Sequence, residues 1–117
     1  MRVLIVEDEL LIRMDLERRL RMLGADVLGG TATGEEAVEM ARSMKPDAVL
    51  MDIKLRGALN GEEAARQILS FHNTCRVVFI SAFDTPDIDA LTKDYNASIG
   101  YAPKPIATSQ LRLSLNA

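Results

Sequence analysis

Hydrophobic residues are spaced in two alternating ways along this chain. Short, mainly apolar runs predict strands over residues 3–6, 25–30, 48–51, 76–80 and 98–102. The run at residues 3–6 is continuously apolar and rich in β-branched residues, which is typical of a strand buried on both faces. Between these runs, apolar residues recur every three or four positions, the spacing of a helix with one buried side. The predicted helices cover residues 12–23, 34–44, 61–71, 84–96 and 106–115.

Four of the predicted helices have an inward stripe, and the first two have a recognisable end. Gly24 stops the first helix, and Pro46 lies just beyond the second. The residues expected to face inward are Ile12, Leu16, Leu20, Leu23, Ala37, Ala41, Met44, Ala64, Ile68, Phe71, Leu111 and Leu115.

The order strand–helix, repeated five times, predicts an α/β fold: a (βα)5 doubly wound parallel sheet with helices on both faces. Periodicity does not set the strand order. If the order is 2-1-3-4-5, strands 1 and 3 are neighbours at the switch point, where a crevice opens. The 117 residues suit one domain, residues 1–117.

The composition excludes few classes of function, but it indicates which partners and which cellular location to expect. The net charge is −3, so the chain lacks the overall basic footprint expected for direct nucleic-acid binding. No apolar run is long enough for a membrane span, and the N-terminus lacks the pattern of a signal peptide. Cys75 is the one cysteine, so no internal disulfide is expected. A cytoplasmic location and no membrane contact are predicted.

Polar residues that could take part in metal binding or catalysis follow four of the apolar runs. They are Glu7 and Asp8, then Asp52, then Ser81, then Lys104. Because the carboxyl ends of parallel strands lie on one edge, these side chains are expected to meet.

Three carboxylates and one lysine sum to about −2, an imbalance that a divalent cation would offset. Mg2+ suits the set because it accepts a few carboxylates and keeps waters. Asp52 is then a candidate nucleophile toward phosphorus, forming an acyl phosphate. Mg2+ and Lys104 would neutralise the phosphoryl oxygens, and Ser81 would donate a hydrogen bond to one of them.

Four segments together resemble the receiver domain of two-component response regulators: residues 3–9, 49–52, 80–82 and 100–105. The resemblance covers essentially the whole chain. It implies a flavodoxin-like strand order 2-1-3-4-5. It also implies that Asp52 accepts a phosphoryl group from a histidine of a sensor kinase or a histidine phosphotransfer protein. The implied Mg2+ ligands are Glu7, Asp8, Asp52 and the backbone carbonyl of Lys54.

The same resemblance implies a conformational switch. Ser81 and Tyr101 match the switch pair, which would change the face formed by helix 4, strand 5 and helix 5. That face would meet the downstream partner: an output domain, another protein or a second copy of the chain. Lys104-Pro105 matches a cis peptide of the family. Lys54 and Phe83 match positions that tune the access of water to the acyl phosphate.

The chain also departs from the family pattern. Arg56 stands where the loop after the phosphoacceptor usually has a proline, and this loop is one residue longer than is common. Pro103 directly precedes Lys104. These departures bear on loop geometry, phosphoryl lifetime and the output face.

Two other functions compete with the phosphorylated switch. A small phosphohydrolase with an aspartyl-phosphate intermediate usually has a second acid two residues after the nucleophile, but Lys54 occupies that position. A constitutive receiver-like scaffold would be favoured by loss of an acid or of Lys104, and all are present. The chain is therefore not expected to be an enzyme beyond slow self-dephosphorylation. His72 is predicted to be a surface bystander. A stand-alone regulator and a receiver from a longer protein both remain open.

Overall fold

The computed structural model describes residues 1–82 and 88–116. Strands and helices alternate through this part of the chain, as the hydrophobic pattern predicts. The elements are β1 (Arg2–Val6), α1 (Leu10–Met22), β2 (Asp26–Thr31), α2 (Gly34–Met44), β3 (Ala48–Asp52), α3 (Gly61–Phe71), β4 (Arg76–Ser81), α4 (Ile88–Tyr95), β5 (Ile99–Pro103) and α5 (Thr108–Asn116).

The five strands form one sheet in the order β2-β1-β3-β4-β5, and every pairing is parallel. This result confirms the predicted α/β fold and the 2-1-3-4-5 order. The register keeps the strand ends level: Val6 pairs with Met51, and Asp52 pairs with Ile80. Because β1 lies between β2 and β3, the crevice opens above the carboxyl ends of β1 and β3.

Helices cover both faces of the sheet. One buried cluster combines alternate strand residues with α2, α3 and α4, and the other combines the remaining strand residues with α1 and α5. Strand β3 is buried along its full length, because helices pack on both of its faces. Of the helices described, none is both long and apolar enough to cross a membrane.

Most of the predicted inward stripe is buried, including Leu16, Leu20 and Leu111. The prediction for Met44 is wrong, since its side chain is exposed. Met44 is the last residue of α2, and the chain leaves the helix at Lys45 in the left-handed conformation. Val38 is buried on this helix with Ala37 and Ala41.

Two further predictions need correction. Helix α5 begins at Thr108, and the predicted first residue, Ile106, is instead buried in the preceding loop. His72 is half-buried rather than on the surface, and its Nε2 lies 2.6 Å from the carbonyl oxygen of Pro46. The predicted start of the fourth helix, at residues 84–86, lies outside the described residues.

Candidate functional site

The sheet places four chemically active side chains at one edge. Asp52 is the last residue of β3 and Ser81 the last of β4. Glu7 directly follows β1, and Lys104 directly follows β5. Since β1, β3, β4 and β5 are consecutive in the sheet, these residues converge. Glu7 is fully buried, Asp52 is 5% exposed and Ser81 is 3% exposed.

Lys104 joins the acids across the sheet edge. Its Nζ lies 2.8 Å from Oε2 of Glu7 and 3.1 Å from Oδ2 of Asp52. Its backbone N–H donates to the carbonyl oxygen of Ser81 at 2.8 Å, which ties the end of β5 to the end of β4. The Lys104-Pro105 peptide is cis, as the resemblance implies.

Three carboxylates form a compact group beside this lysine. One oxygen each from Glu7, Asp8 and Asp52 lies within 4.8 Å of the other two. Oδ1 of Asp52 accepts from the backbone N–H of Lys54 at 3.3 Å. The structure therefore brings together the acids that the strand ends predicted, although they come from segments more than forty residues apart.

Burial makes the charge state of this group unusual. Desolvation raises the pKa of Glu7 to about 7, and the nearby Asp52 charge adds to the effect, while the hydrogen bond from Lys104 opposes it. Burial works against a charged Lys104, but the carboxylates of Glu7 and Asp52 outweigh it, so the pKa of Lys104 is raised. Burial therefore disfavours the charged form of Glu7.

The residues present fit a divalent hard cation. The donors are carboxylate oxygens, which hard cations such as Mg2+ prefer. When ionised, Glu7, Asp8 and Asp52 carry three negative charges against one on Lys104 and one on Arg56, whose Nε lies near Asp8. Burial makes the charged form of Glu7 costly.

Above the acids lies a small open pocket of about 200 Å3. It is lined by Asp8, Glu9, Asp52, Lys54, Ser81, Ala82 and Lys104. The small side chain of Ala82 is exposed at its rim, so the pocket leaves Asp52 within reach of a reactant.

A larger apolar groove of about 490 Å3 adjoins this pocket. Its lining includes Leu11 and Ile12 of α1 and the segment 104–106, and Ala82 and Lys104 line both cavities. Sequence reasoning missed this groove. Its signal is Leu11, an apolar residue of α1 outside the predicted inward stripe, which lines the groove and is exposed.

The other predicted residues occupy different surroundings. Tyr101 lies on β5, pairs in register with Phe79 and is half-buried against the core on the α2–α4 face. The side chain of Lys54 is exposed. Phe83 lies outside the described residues. Sequence reasoning noted Arg56 as a departure but did not foresee that its Nε lies 3.6 Å from Oδ2 of Asp8.

Comparison with known proteins gives consistent matches. The family model described as response regulator receiver domain matches residues 3–116. The transcriptional regulatory protein PdtaR of Mycobacterium tuberculosis is 42% identical over 110 residues, which cover 94% of this chain and 52% of PdtaR. The chain thus spans about half the length of this curated relative.

Two solved structures are similar along nearly the whole chain. The signal receiver domain of a modulated diguanylate cyclase from Desulfovibrio desulfuricans G20 is 39% identical, with a TM-score of 0.83, covering 97% of this chain and 89% of that one. The response regulator REC domain of Erythrobacter litoralis PhyR is 37% identical, with a TM-score of 0.79, covering 97% and 85%.

Proposed function

The chain belongs to the family of response regulator receiver domains, and on that premise we propose that Asp52 is its phosphoacceptor in a two-component phosphorelay. The donor would be the phosphohistidine of a sensor kinase or of a histidine phosphotransfer protein. Residues 1–117 would act as one receiver domain. The observation that carries this proposal is the position of Asp52: it is buried at the end of β3 with Oδ2 3.1 Å from Nζ of Lys104.

The transfer needs one bond to form and one to break. A carboxylate oxygen of Asp52 forms the new O–P bond while the N–P bond of the phosphohistidine breaks, and the electron pair stays on the imidazole nitrogen. The main requirement is alignment and neutralisation of charge on the phosphoryl oxygens. Lys104 supplies one positive charge at Asp52, and the Ser81 hydroxyl would donate to a phosphoryl oxygen.

A magnesium ion would fit beside Asp52. Glu7, Asp8, Asp52 and the backbone carbonyl of Lys54 would hold it, and when bound it would neutralise charge on the phosphoryl group. Support for this assignment comes from the close approach of the three carboxylates and from the raised pKa of the buried Glu7.

The apolar groove beside the site supports a docking position for the donor protein. A phosphohistidine can reach Asp52 only if its carrier packs next to the pocket, and the groove shares Ala82 and Lys104 with that pocket. The exposed Leu11 of α1 lines this groove. Exposed apolar surface of this kind marks interaction sites.

Output would use the face formed by α4, β5 and α5. Ser81 would move toward the phosphoryl group, and Tyr101, half-buried on β5, would turn inward. Leu113 of α5 is largely exposed and would belong to the surface that changes. A local charge event would thus bias a two-state element that contacts an output domain, a separate protein or a second copy of the chain.

Signalling rather than turnover is the expected outcome. Lys54 stands where an aspartyl-phosphate phosphohydrolase would have its second acid, so slow self-dephosphorylation is the only hydrolysis we expect. Lys54 and Phe83 are the residues proposed to set its rate.

The test is labelling by acetyl phosphate, read as intact mass, with Mg2+ and with a chelator. A phosphoryl adduct that requires both Mg2+ and Asp52 is expected. Asp52→Ala should abolish it, whereas Asp26→Ala, which removes an exposed aspartate at the start of β2, should not. If the folded protein takes no label from acetyl phosphate and none from a phosphohistidine donor, the phosphoacceptor function is wrong and a constitutive scaffold remains.

A further inference from the structure

The loop between β3 and α3, residues 53–60, brings a cation to the acid group. Nε of Arg56 lies 3.6 Å from Oδ2 of Asp8. The Arg56 side chain is 78% exposed, whereas that of Asp8 is 21% exposed. The guanidinium therefore reaches one member of the acid group from the solvent side.

This loop is fastened to the start of α2 at three points. Arg56 forms an isolated parallel bridge with Thr33. The carboxylate of Glu35 accepts from the backbone N–H of Leu59 at 2.7 Å, and this hydrogen bond holds the pKa of Glu35 below its usual range. At Gly57, where φ is +96°, an added Cβ would lie 2.6 Å from Oε2 of Glu35, so the loop packs closely on that carboxylate.

We propose that Arg56 serves as the chain's own counter-cation at Asp8 and weakens the binding of Mg2+, and that Glu35 is the positioning residue that holds the loop carrying Arg56. This inference rests on the proposed magnesium-dependent phosphoacceptor site. A divalent ion that binds Asp8 must either displace the guanidinium of Arg56 or bind beside its positive charge. Either requirement lowers the affinity of the site for the ion. Arg56 thus sets the Mg2+ concentration at which the site becomes ready for phosphorylation.

The measurement is the Mg2+ dissociation constant by titration calorimetry at fixed ionic strength. Exposed ion pairs contribute little, so Arg56→Ala should tighten Mg2+ binding by about two- to fivefold. Arg21→Ala is the matched control: Nη1 of Arg21 lies 3.9 Å from Oε2 of Glu17, with side chains 61% and 22% exposed. Arg21 is in the last turn of α1, away from the acids, so its loss should leave the dissociation constant unchanged.

Substitutions of Glu35 separate positioning from simple charge. Glu35→Ala removes a carboxylate, which by charge alone would weaken Mg2+ binding. If Glu35 positions Arg56, the opposite follows: Mg2+ binding tightens, and adding Arg56→Ala has no further effect. Glu35→Gln keeps an oxygen that can accept from Leu59 and should leave binding close to that of the unchanged protein. Glu39→Ala, an exposed carboxylate of the same helix, controls for charge.

The outcomes separate this inference from the proposed function. One outcome would overturn the role of Arg56 and leave the phosphoacceptor site standing. In that outcome Asp8→Ala loses Mg2+ binding, but Arg56→Ala and Arg21→Ala have the same Mg2+ dissociation constant. Weaker Mg2+ binding in Arg56→Ala would do the same. Absence of any Asp8-dependent Mg2+ binding would overturn both. Thermal unfolding in chelator checks that each variant is folded.

Discussion

Replacing Glu7 with glutamine tests the electrostatics of the site without a large change of shape. Glu7 is fully buried, and burial raises its pKa from an ordinary value of 4.5 to about 7. In Glu7→Gln the same position holds a neutral amide that does not titrate. The comparison of the two proteins therefore isolates the proton on Glu7.

The sign of the effect follows from proton binding. Because the folded protein binds this proton more tightly than the unfolded chain does, the stabilisation is complete below about pH 4.5 and is lost as the pH rises through about 7. One pH unit corresponds to about 1.4 kcal/mol, so the metal-free protein should lose about 3 kcal/mol across this window relative to Glu7→Gln. Lys104 does not titrate in this range because its pKa is raised above 10.5.

The assay is urea unfolding followed by far-ultraviolet circular dichroism, in chelator, between pH 4.5 and 8. The difference in unfolding free energy between Glu7→Gln and the unchanged protein should grow by about 3 kcal/mol with pH. Glu9→Gln, which removes an exposed carboxylate two residues away, is measured alongside as the control for loss of a negative charge. If the unfolding free energy of Glu7→Gln runs parallel to that of the unchanged protein, burial does not hold a proton on Glu7 and the charge argument for the cation fails.

Two further substitutions test the geometry of the site. A Cβ on Gly61 would overlap the carbonyl oxygen of Asp52, so Gly61→Ala should lower the unfolding free energy by about 3 kcal/mol. Gly24 has φ +89° and open space around its Cβ position, so the control Gly24→Ala should lower the unfolding free energy by only about 1–2 kcal/mol. Equal losses of unfolding free energy in the two variants would contradict the predicted overlap. Lys104→Met should slow acetyl-phosphate labelling by about tenfold or more, because it removes the ammonium 3.1 Å from Asp52. The control Lys93→Met, on the exposed side of α4, should be labelled at the normal rate. Equal labelling rates in the two variants would exclude a role for Lys104 in phosphoryl transfer.

The convergence of the acids was predictable because it depends on strands alone. A continuous apolar run can be buried on both faces only inside a layered α/β fold, and parallel strands end on one edge. The positions of Glu7, Asp52 and Lys104 at strand ends were therefore enough to predict that these side chains lie close together. The strand order did not follow from these runs and came from the family resemblance.

Features that depend on loops and helix exteriors were not predictable in the same way. The contact of Arg56 with Asp8 needs a loop without periodicity, fixed by Glu35 twenty-four residues before its partner Leu59. The hydrophobic pattern assigns apolar residues to the interior, so it gives no reason for Leu11 and Met14 to be exposed on α1. The prediction that Met44 faces inward was wrong because a stripe inferred from periodicity does not show where the chain turns away from the core at the end of the helix.

The charges at the sheet edge are not balanced as they are in a structural ion pair. A buried structural pair is tolerable when its charges match and its hydrogen bonds are satisfied. Here Lys104 faces the carboxylates of Glu7 and Asp52 at once, Asp8 adds a third, and Arg56 reaches only Asp8 from the solvent side. The fold therefore keeps Glu7 where ionising it lowers the stability of the folded state, a conflict that proteins retain mainly at functional sites. A cation bound at the proposed magnesium site would reduce that conflict, because it would add positive charge beside Glu7.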